Sequence, residues 1–102
     1  MGIDAYLQDE RGESCDAVLD PRGFLKGLLA EVADLGPVCL RFIEPYGDTT
    51  FNRLRMTPFV AELEAVIRTT RDPVAAEHCR SVLRLAQTCR DGVHLYLKFR
   101  GD

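Results

Sequence analysis

The densest group of side chains that could do chemistry lies at residues 46–50, where the sequence reads Tyr-Gly-Asp-Thr-Thr. A phenol, a carboxylate and two hydroxyls within five positions are enough polar groups to hold a small ligand or a loop of a partner protein. A structural interpretation stays open, because Asp48 and Thr49 belong to residue types that hydrogen-bond local backbone, and Tyr46 can pack over a turn. We take Tyr46, Asp48, Thr49 and, just downstream, Asn52 as candidate binding residues.

Residues suited to acid–base or nucleophilic catalysis are sparse. The chain has two histidines, His78 and His94, and two serines, Ser14 and Ser81. None of their sequence neighbourhoods resembles a nucleophile elbow, and the chain contains no glycine-rich phosphate-binding motif. We therefore predict no catalytic residue. An enzyme that uses Asp48 or His94 remains a third hypothesis.

The cysteine spacing argues against a metal site. Four cysteines stand at positions 15, 39, 79 and 89, so the gaps between them are 24, 40 and 10 positions. None of these gaps is the close pairing of a structural zinc site or of a redox pair. We expect free, mostly buried thiols in a reducing cytoplasm, with no metal and no cofactor. The sequence also lacks a long apolar run and a secretory signal, which predicts a cytoplasmic protein without a membrane segment.

The charge is small and unevenly distributed. The 102 residues carry a formal net charge of −3, and 46% of them are hydrophobic, which is typical of one globular domain. Residues 1–36 hold eight acids against three bases, whereas residues 37–102 hold eight acids against ten bases. A nucleic-acid-binding domain would normally carry a basic excess overall, so we expect no nucleic-acid partner.

Hydrophobic periodicity predicts four strands and three helices. Alternating apolar residues indicate strands, and an Asp or Thr followed by proline marks each helix start. The central strands would form a hairpin around a turn at residues 44–48, and residues 9–16 read as an acidic loop. The predicted strands are residues 2–8, 38–43, 49–54 and 93–99, and the predicted helices open at Pro21, Pro58 and Pro73, the first ending at Gly36-Pro37 and the third at Asp91-Gly92.

This order, β-α-β-β-α-α-β, predicts a two-layer α+β domain. Every strand is polar at alternate positions, which is expected of a mostly antiparallel sheet of three or four strands with helices on one face only. A ferredoxin-like βαββαβ core with one extra helix fits the order, although the sequence does not determine the strand order.

The uncovered face of such a sheet is a candidate docking surface. Tyrosine and arginine are enriched at protein interfaces, so this face could bind a protein partner or a second copy of the chain. The alternative is an ordinary solvated face whose cross-strand pairs stabilise the fold. The side chains expected there are Asp4, Tyr6, Arg41, His94, Tyr96 and Lys98.

Two segments carry a resemblance to other proteins. Residues 1–7 read Met-Gly-Ile-Asp-Ala-Tyr-Leu, and residues 39–52 read Cys-Leu-Arg-Phe-Ile-Glu-Pro-Tyr-Gly-Asp-Thr-Thr-Phe-Asn. They resemble a group of small, uncharacterised bacterial proteins that share a GID-x-YL opening and a central F-[IL]-x-PYGDT-x-FN segment. The resemblance implies a bacterial origin and makes the central segment the signature of the group. It implies no activity and no catalytic residue.

Together these patterns favour a non-enzymatic protein-binding module. One concrete form is an immunity-type protein, in which acids such as Asp9, Glu10 and Glu13 steer association with a basic toxin. The alternative from a different class is a small-molecule sensor that uses the sheet and the Tyr46–Asn52 segment. Such a sensor would melt at a higher temperature when its ligand is present.

Overall fold

The computed structural model describes residues 2–32 and 39–101, and within them a four-stranded antiparallel sheet carries three helices on one face. The predicted class, a two-layer α+β fold, is confirmed. Single turns of 3-10 helix occur at Leu40–Phe42 and Arg53–Arg55. The main elements are β1 (Ile3–Gln8), β2 (Ser14–Val18), α1 (Phe24–Val32), β3 (Asp48–Asn52), α2 (Met56–Thr69), α3 (Pro73–Asp91) and β4 (Tyr96–Gly101).

The strands lie in the order β2-β1-β4-β3, with the first and last strands of the chain at the centre of the sheet. All three neighbouring pairs are antiparallel. The ferredoxin-like arrangement is therefore wrong, because β1 and β2 form a hairpin and no helix connects them. Both termini of the described chain lie close to the middle of the sheet.

The core lies between the sheet and the helices. Ile3, Ala5 and Leu7 of β1 are buried, as the alternating pattern predicts, while the residues between them are half-buried. Phe51 from β3 and Phe99 from β4 pack against Phe59 of α2, with ring centroids 5.5 to 6.0 Å apart. This cluster fixes α2 over the β3–β4 half of the sheet.

Residues 9–16, predicted to be a loop, contain a turn and part of an edge strand. The Asp9 carboxylate accepts hydrogen bonds from the backbone N–H groups of Arg11 and Glu13, and Gly12 has a φ of 81°. This turn returns the chain into β2. Four of the five residues of β2 are exposed, so the strand lacks the apolar alternation that would have predicted it.

The strand predicted at residues 38–43 is also wrong. Val38 lies outside the described residues, and Leu40–Phe42 form a 3-10 turn. Leu40 and Ile43 are buried whereas Phe42 is 64% exposed, so the apparent alternation does not match the burial. The Glu62 carboxylate accepts the N–H groups of Cys39 and Leu40 at 2.9 to 3.0 Å, which caps the turn. The central segment is consequently not a hairpin, and β3 pairs with β4 instead.

The three described helices occur where the apolar pattern predicts them, but not all of them begin at the predicted residue. Asp72 caps α3 through the N–H groups of Val74 and Ala75, as the aspartate-proline signal predicts. Helix α2 begins at Met56, before the predicted Pro58, because the 3-10 turn at Arg53–Arg55 leads directly into it. The predicted end of the first helix, Gly36-Pro37, lies outside the described residues. No helix in the described part of the chain is long and apolar enough to cross a membrane.

Candidate functional site

The sheet face opposite the helices presents an ordered grid of polar and aromatic side chains. Ile3, Ala5 and Leu7 point into the core, so the intervening residues of β1 and their cross-strand partners face away from it. The cross-strand rows, read from β1 through β4 to β3, are Asp4–Arg100–Asp48, Tyr6–Lys98–Thr50 and Gln8–Tyr96–Asn52. We call these nine residues the open face.

Charges of both signs alternate on the open face. Arg100 lies between two aspartates in the first row, and Lys98 Nζ is 3.4 Å from Asp48 Oδ2. The half-buried Tyr6 and Tyr96 occupy the two central strands. The face can therefore offer aromatic area together with charges that already have opposite-sign neighbours, which suits docking against a mixed surface.

Two predicted members of this face lie elsewhere. Arg41 projects from the 3-10 turn, because the strand that would have carried it does not form. His94 precedes β4, has a φ of 57° and places Nδ1 3.7 Å from Glu10 Oε2 beside the β1–β2 turn. The predicted start of the last strand at Val93 is three residues too early, since β4 begins at Tyr96.

The segment before β3 is tied down mainly by local hydrogen bonds. Thr49 Oγ1 accepts the N–H of Glu44 at 2.8 Å, and the Glu44 carboxylate accepts the N–H of Tyr46 at 3.1 Å. The N–H of Gly101 donates to the carbonyl of Gly47 at 2.7 Å, which attaches the turn to the end of β4. Thr49 thus has the structural role that the sequence left open.

Asp48 and Asn52, from the same predicted site, belong to the open face. Asp48 pairs with Arg100 across the strands, and Asn52 pairs with Tyr96. Asn52 also accepts the N–H of Leu54 through Oδ1 at 3.1 Å, which caps the second 3-10 turn. The predicted cluster of Tyr46, Asp48, Thr49 and Asn52 therefore separates into two different surfaces.

Tyr46 lies on the second of these surfaces, beside a cavity. Tyr46 is 74% exposed, and Lys26 Nζ from α1 stands 4.2 Å from the centroid of its ring. The cavity between α1 and residues 40–46 has a volume of about 530 Å³. Its walls combine apolar side chains with two cations, and the described residues lining it are Lys26, Leu29, Ala30, Val32, Leu40, Arg41, Ile43, Pro45 and Tyr46.

The opening segment of the chain contacts a buried aspartate. Asp20, which is 0% exposed, accepts the N–H of Ile3 at 3.1 Å and donates its own N–H to Asp4 Oδ1 at 2.7 Å. A Cβ at Gly2 would collide with the Asp20 carbonyl oxygen. The Gly-Ile-Asp opening thus has a structural role, and one carboxylate oxygen of the open-face residue Asp4 is already used. The predicted cap at Asp20 is confirmed, because its carboxylate accepts the N–H groups of Phe24 and Leu25, but the predicted helix start at Pro21 is wrong, because α1 begins at Phe24.

The buried thiols are poor nucleophiles. Burial, with a contribution from the negative charge of Asp20, raises the pKa of Cys79 to about 11. Burial raises the pKa of Cys89, and burial together with Glu62 raises that of Cys39. These thiols stay protonated near neutral pH, and Cys15 is the exposed cysteine. The described residues hold no group of His, Cys, Asp or Glu able to bind a metal ion.

Sequence reasoning missed three members of the open face and one cap. Arg100 was excluded because the predicted strand stopped at Phe99, and one more step of the same alternation would have included it. Gln8 and Thr50 lie at polar positions of strands that the sequence predicted. Neither residue was among the predicted binding residues. Glu62 gave no signal, because its partners lie 22 and 23 positions away.

Compared with protein-family models, with curated proteins and with solved structures, the chain gives no match.

Proposed function

We propose that the chain is a bacterial, cytoplasmic, non-enzymatic protein-binding module that docks its partner on the open face. The observation that carries the proposal is the grid itself. Lys98 lies at its centre, Tyr6 and Tyr96 lie on the two central strands β1 and β4, Arg100 and Asp48 lie in the first row, and the helices pack on the opposite side of the sheet. Interfaces concentrate affinity in such aromatic and arginine anchors. The free, buried thiols fit a reducing compartment.

Affinity capture from cytoplasmic extract, with variants of the open face as bait, tests the proposal. Thr50 is exposed on the edge strand β3, so Thr50→Arg obstructs the face without removing core contacts. Ala61→Arg, at an exposed position of α2 on the helix side, is the matched control. We expect a specific protein to be retained by wild type and the control and lost with Thr50→Arg. Equal retention by all three baits would contradict docking on this face.

Self-association through the same face is distinguished by sedimentation velocity of the purified chain. The open face carries Asp4 and Asp48 beside Lys98 and Arg100, so two copies related by a two-fold axis could place aspartates opposite Lys98 and Arg100. A dimer that becomes a monomer with Thr50→Arg would identify the partner as a second copy. A monomer at all concentrations, together with no captured protein, would contradict both forms of the proposal.

One specific form of the protein-binding proposal is an immunity-type role, in which the acidic turn at residues 9–13 attracts a basic partner. Glu10 and Glu13 are exposed, whereas Asp9 holds the turn together through its carboxylate. Glu10→Gln with Glu13→Gln should slow association with a basic partner and flatten its salt dependence, since exposed charges act mainly on the association rate. Substitution of Asp9 would disturb the turn and is unsuitable. An unchanged association rate would argue against steering by these acids.

A small-molecule sensor is the second candidate, favoured by the cavity beside Tyr46. A volume of about 530 Å³ is within the range of ordinary ligand sites. Here the ligand would contact α1 and residues 40–46 instead of the sheet. A metabolite that raises the melting temperature of wild type, but not of a variant with the cavity filled by Ala30→Trp, would support this function.

A further inference from the structure

The cavity between α1 and residues 40–46 has two chemically different parts. Its floor is apolar, formed by the buried side chains of Val32, Leu40 and Ile43 and the half-buried Leu29. Its rim carries the cations of the two walls. Such a division suits a ligand with an apolar body and one polar end.

The polar end of the ligand should be negative. The cavity carries Lys26 on one wall and Arg41 on the other, and its described lining contains no acidic residue. Lys26 Nζ stands 4.2 Å from the centroid of the Tyr46 ring, which places this residue beside the rim. The guanidinium of Arg41 beside an apolar floor favours one anionic group on the ligand.

Arg41 is the better candidate for direct contact with that anion. It is exposed, and within residues 2–32 and 39–101 it makes no hydrogen bond or ion pair. A guanidinium group offers paired N–H donors that match the two oxygens of a carboxylate. Lys26 and Tyr46 would close the rim over the ligand as a cation–aromatic pair.

We propose that this cavity binds a small organic monoanion with an apolar body, of the class of medium-chain carboxylates. The carboxylate contacts Arg41, and the chain lies on Val32, Leu40 and Ile43. This inference deepens the small-molecule candidate and is independent of docking on the open face. It also gives Tyr46 and Arg41, which the sequence assigned to different elements, a shared role.

Three eight-carbon probes that differ only in their polar end test the ligand class. Octanoate, octanol and octylamine are titrated separately into the purified chain by isothermal calorimetry. We expect octanoate to bind at least tenfold more tightly than either of the other two. Equal binding of the three compounds, or tighter binding of octylamine, would contradict the inference that the ligand is an anion. It would still leave a small-molecule site in the cavity. No binding of any probe would overturn the inference.

Two variants locate the binding, and a third is the matched control. Arg41→Gln should weaken octanoate binding about tenfold or more and leave octanol binding unchanged, because only the charged contact is removed. Ala30→Trp should abolish binding of octanoate by filling the cavity. Arg84→Gln removes another exposed arginine, from the shallow depression at α3, and should bind octanoate as wild type does. Wild-type affinity in Arg41→Gln would overturn the proposed contact.

The open-face variant keeps the two proposals distinguishable. Thr50→Arg lies on the opposite surface of the sheet from the core and should bind octanoate as wild type does. If Thr50→Arg loses a protein partner but keeps octanoate, both sites exist and act separately. If Thr50→Arg also loses octanoate binding, octanoate binding depends on the open face, and the inference that the cavity is its site is wrong.

Discussion

The carboxylate of Asp20 lies 3.5 Å from Nε2 of His78, at the point where three elements of the fold meet. The aspartate is fully buried and accepts the N–H of Ile3 from β1 and those of Phe24 and Leu25 from α1. His78 belongs to α3, and its Nε2 is buried without a hydrogen-bond partner among the described residues. Asp20 therefore joins the start of β1 to the start of α1, and α3 covers the joint.

We predict that Asp20→Ala lowers the free energy of unfolding by about 3 kcal/mol. The substitution leaves the buried N–H groups of Ile3 and Leu25 and the part-buried N–H of Phe24 without an acceptor, and each buried group costs about 1–3 kcal/mol. Asp72→Ala is the matched control, since Asp72 also caps a helix but is exposed, and it should cost only about 1 kcal/mol. Urea denaturation gives both values. Equal costs would show that the buried position of Asp20 adds nothing to ordinary capping.

Glu62 provides a prediction about the reactivity of a thiol. Burial raises the pKa of Cys39, and the charge and hydrogen bond of Glu62 raise it further. We expect Glu62→Gln to lower that pKa, although burial still keeps it above the ordinary value. Cys39 should then react faster with iodoacetamide at mildly alkaline pH, as followed by mass spectrometry of each cysteine.

Cys89 is the internal control for this experiment, because burial alone raises its pKa. General opening of the fold would accelerate both thiols, so the ratio of the two rates isolates the effect of the charge. Arg55→Gln should change the ratio in the opposite direction, since Arg55 lowers the pKa of Cys39. An unchanged ratio in both variants would contradict this electrostatic account.

The elements that the sequence predicts well are those whose burial is periodic. Helix α3 and strand β1 each bury one regular face, so period and burial agree. Strand β2 has no buried residue, and only Val18 at its end is half-buried, so a pattern of apolar residues does not reveal its hydrogen bonds to β1. The 3-10 turn at Leu40–Phe42 depends on Glu62, a contact between distant positions that no local pattern contains.

The candidate site was predictable only where it followed strand alternation. Tyr6 and Tyr96 lie on the open face because both strands were recognised and their parity was correct. Arg41 and His94 were misplaced because each belongs to a segment that is not a strand. The cavity could not be foreseen, since it forms between a helix and a turn whose relative position depends on the whole core.

Gly2 and Gly27 should respond in opposite directions to alanine. A Cβ at Gly2 would meet the Asp20 backbone, which cannot move without breaking the joint, so Gly2→Ala should cost about 2 kcal/mol. Gly27 lies within α1 with open space around it, and Gly27→Ala should stabilise the fold by about 1 kcal/mol. Chemical denaturation of the two variants provides the comparison. A stabilised Gly2→Ala would contradict close packing at the start of the chain.

Cys79 should make stability depend on alkaline pH. Its pKa is about 11 in the folded protein, against an ordinary value of 9.0, so the folded state holds the thiol proton more tightly than the unfolded chain does. This contribution is fully present below pH 9 and is lost as the pH rises from about 9 to about 11. Cys79→Ala should therefore remove up to about one proton from the slope of unfolding free energy against pH in that window.

Cys15→Ala is the matched control for Cys79→Ala, because the exposed thiol of Cys15 meets water in both the folded and the unfolded chain. The slope of unfolding free energy against pH should be the same in Cys15→Ala as in wild type. In Cys79→Ala that slope should be shallower. The buried thiols of Cys39 and Cys89 also have raised pKa values and titrate in the same direction, so part of the slope should persist in Cys79→Ala. Denaturation curves at pH 8, 9, 10 and 11 measure the three slopes. If Cys79→Ala keeps the wild-type slope, the Cys79 thiol is not linked to folding in this range, and burial beside Asp20 does not control its proton.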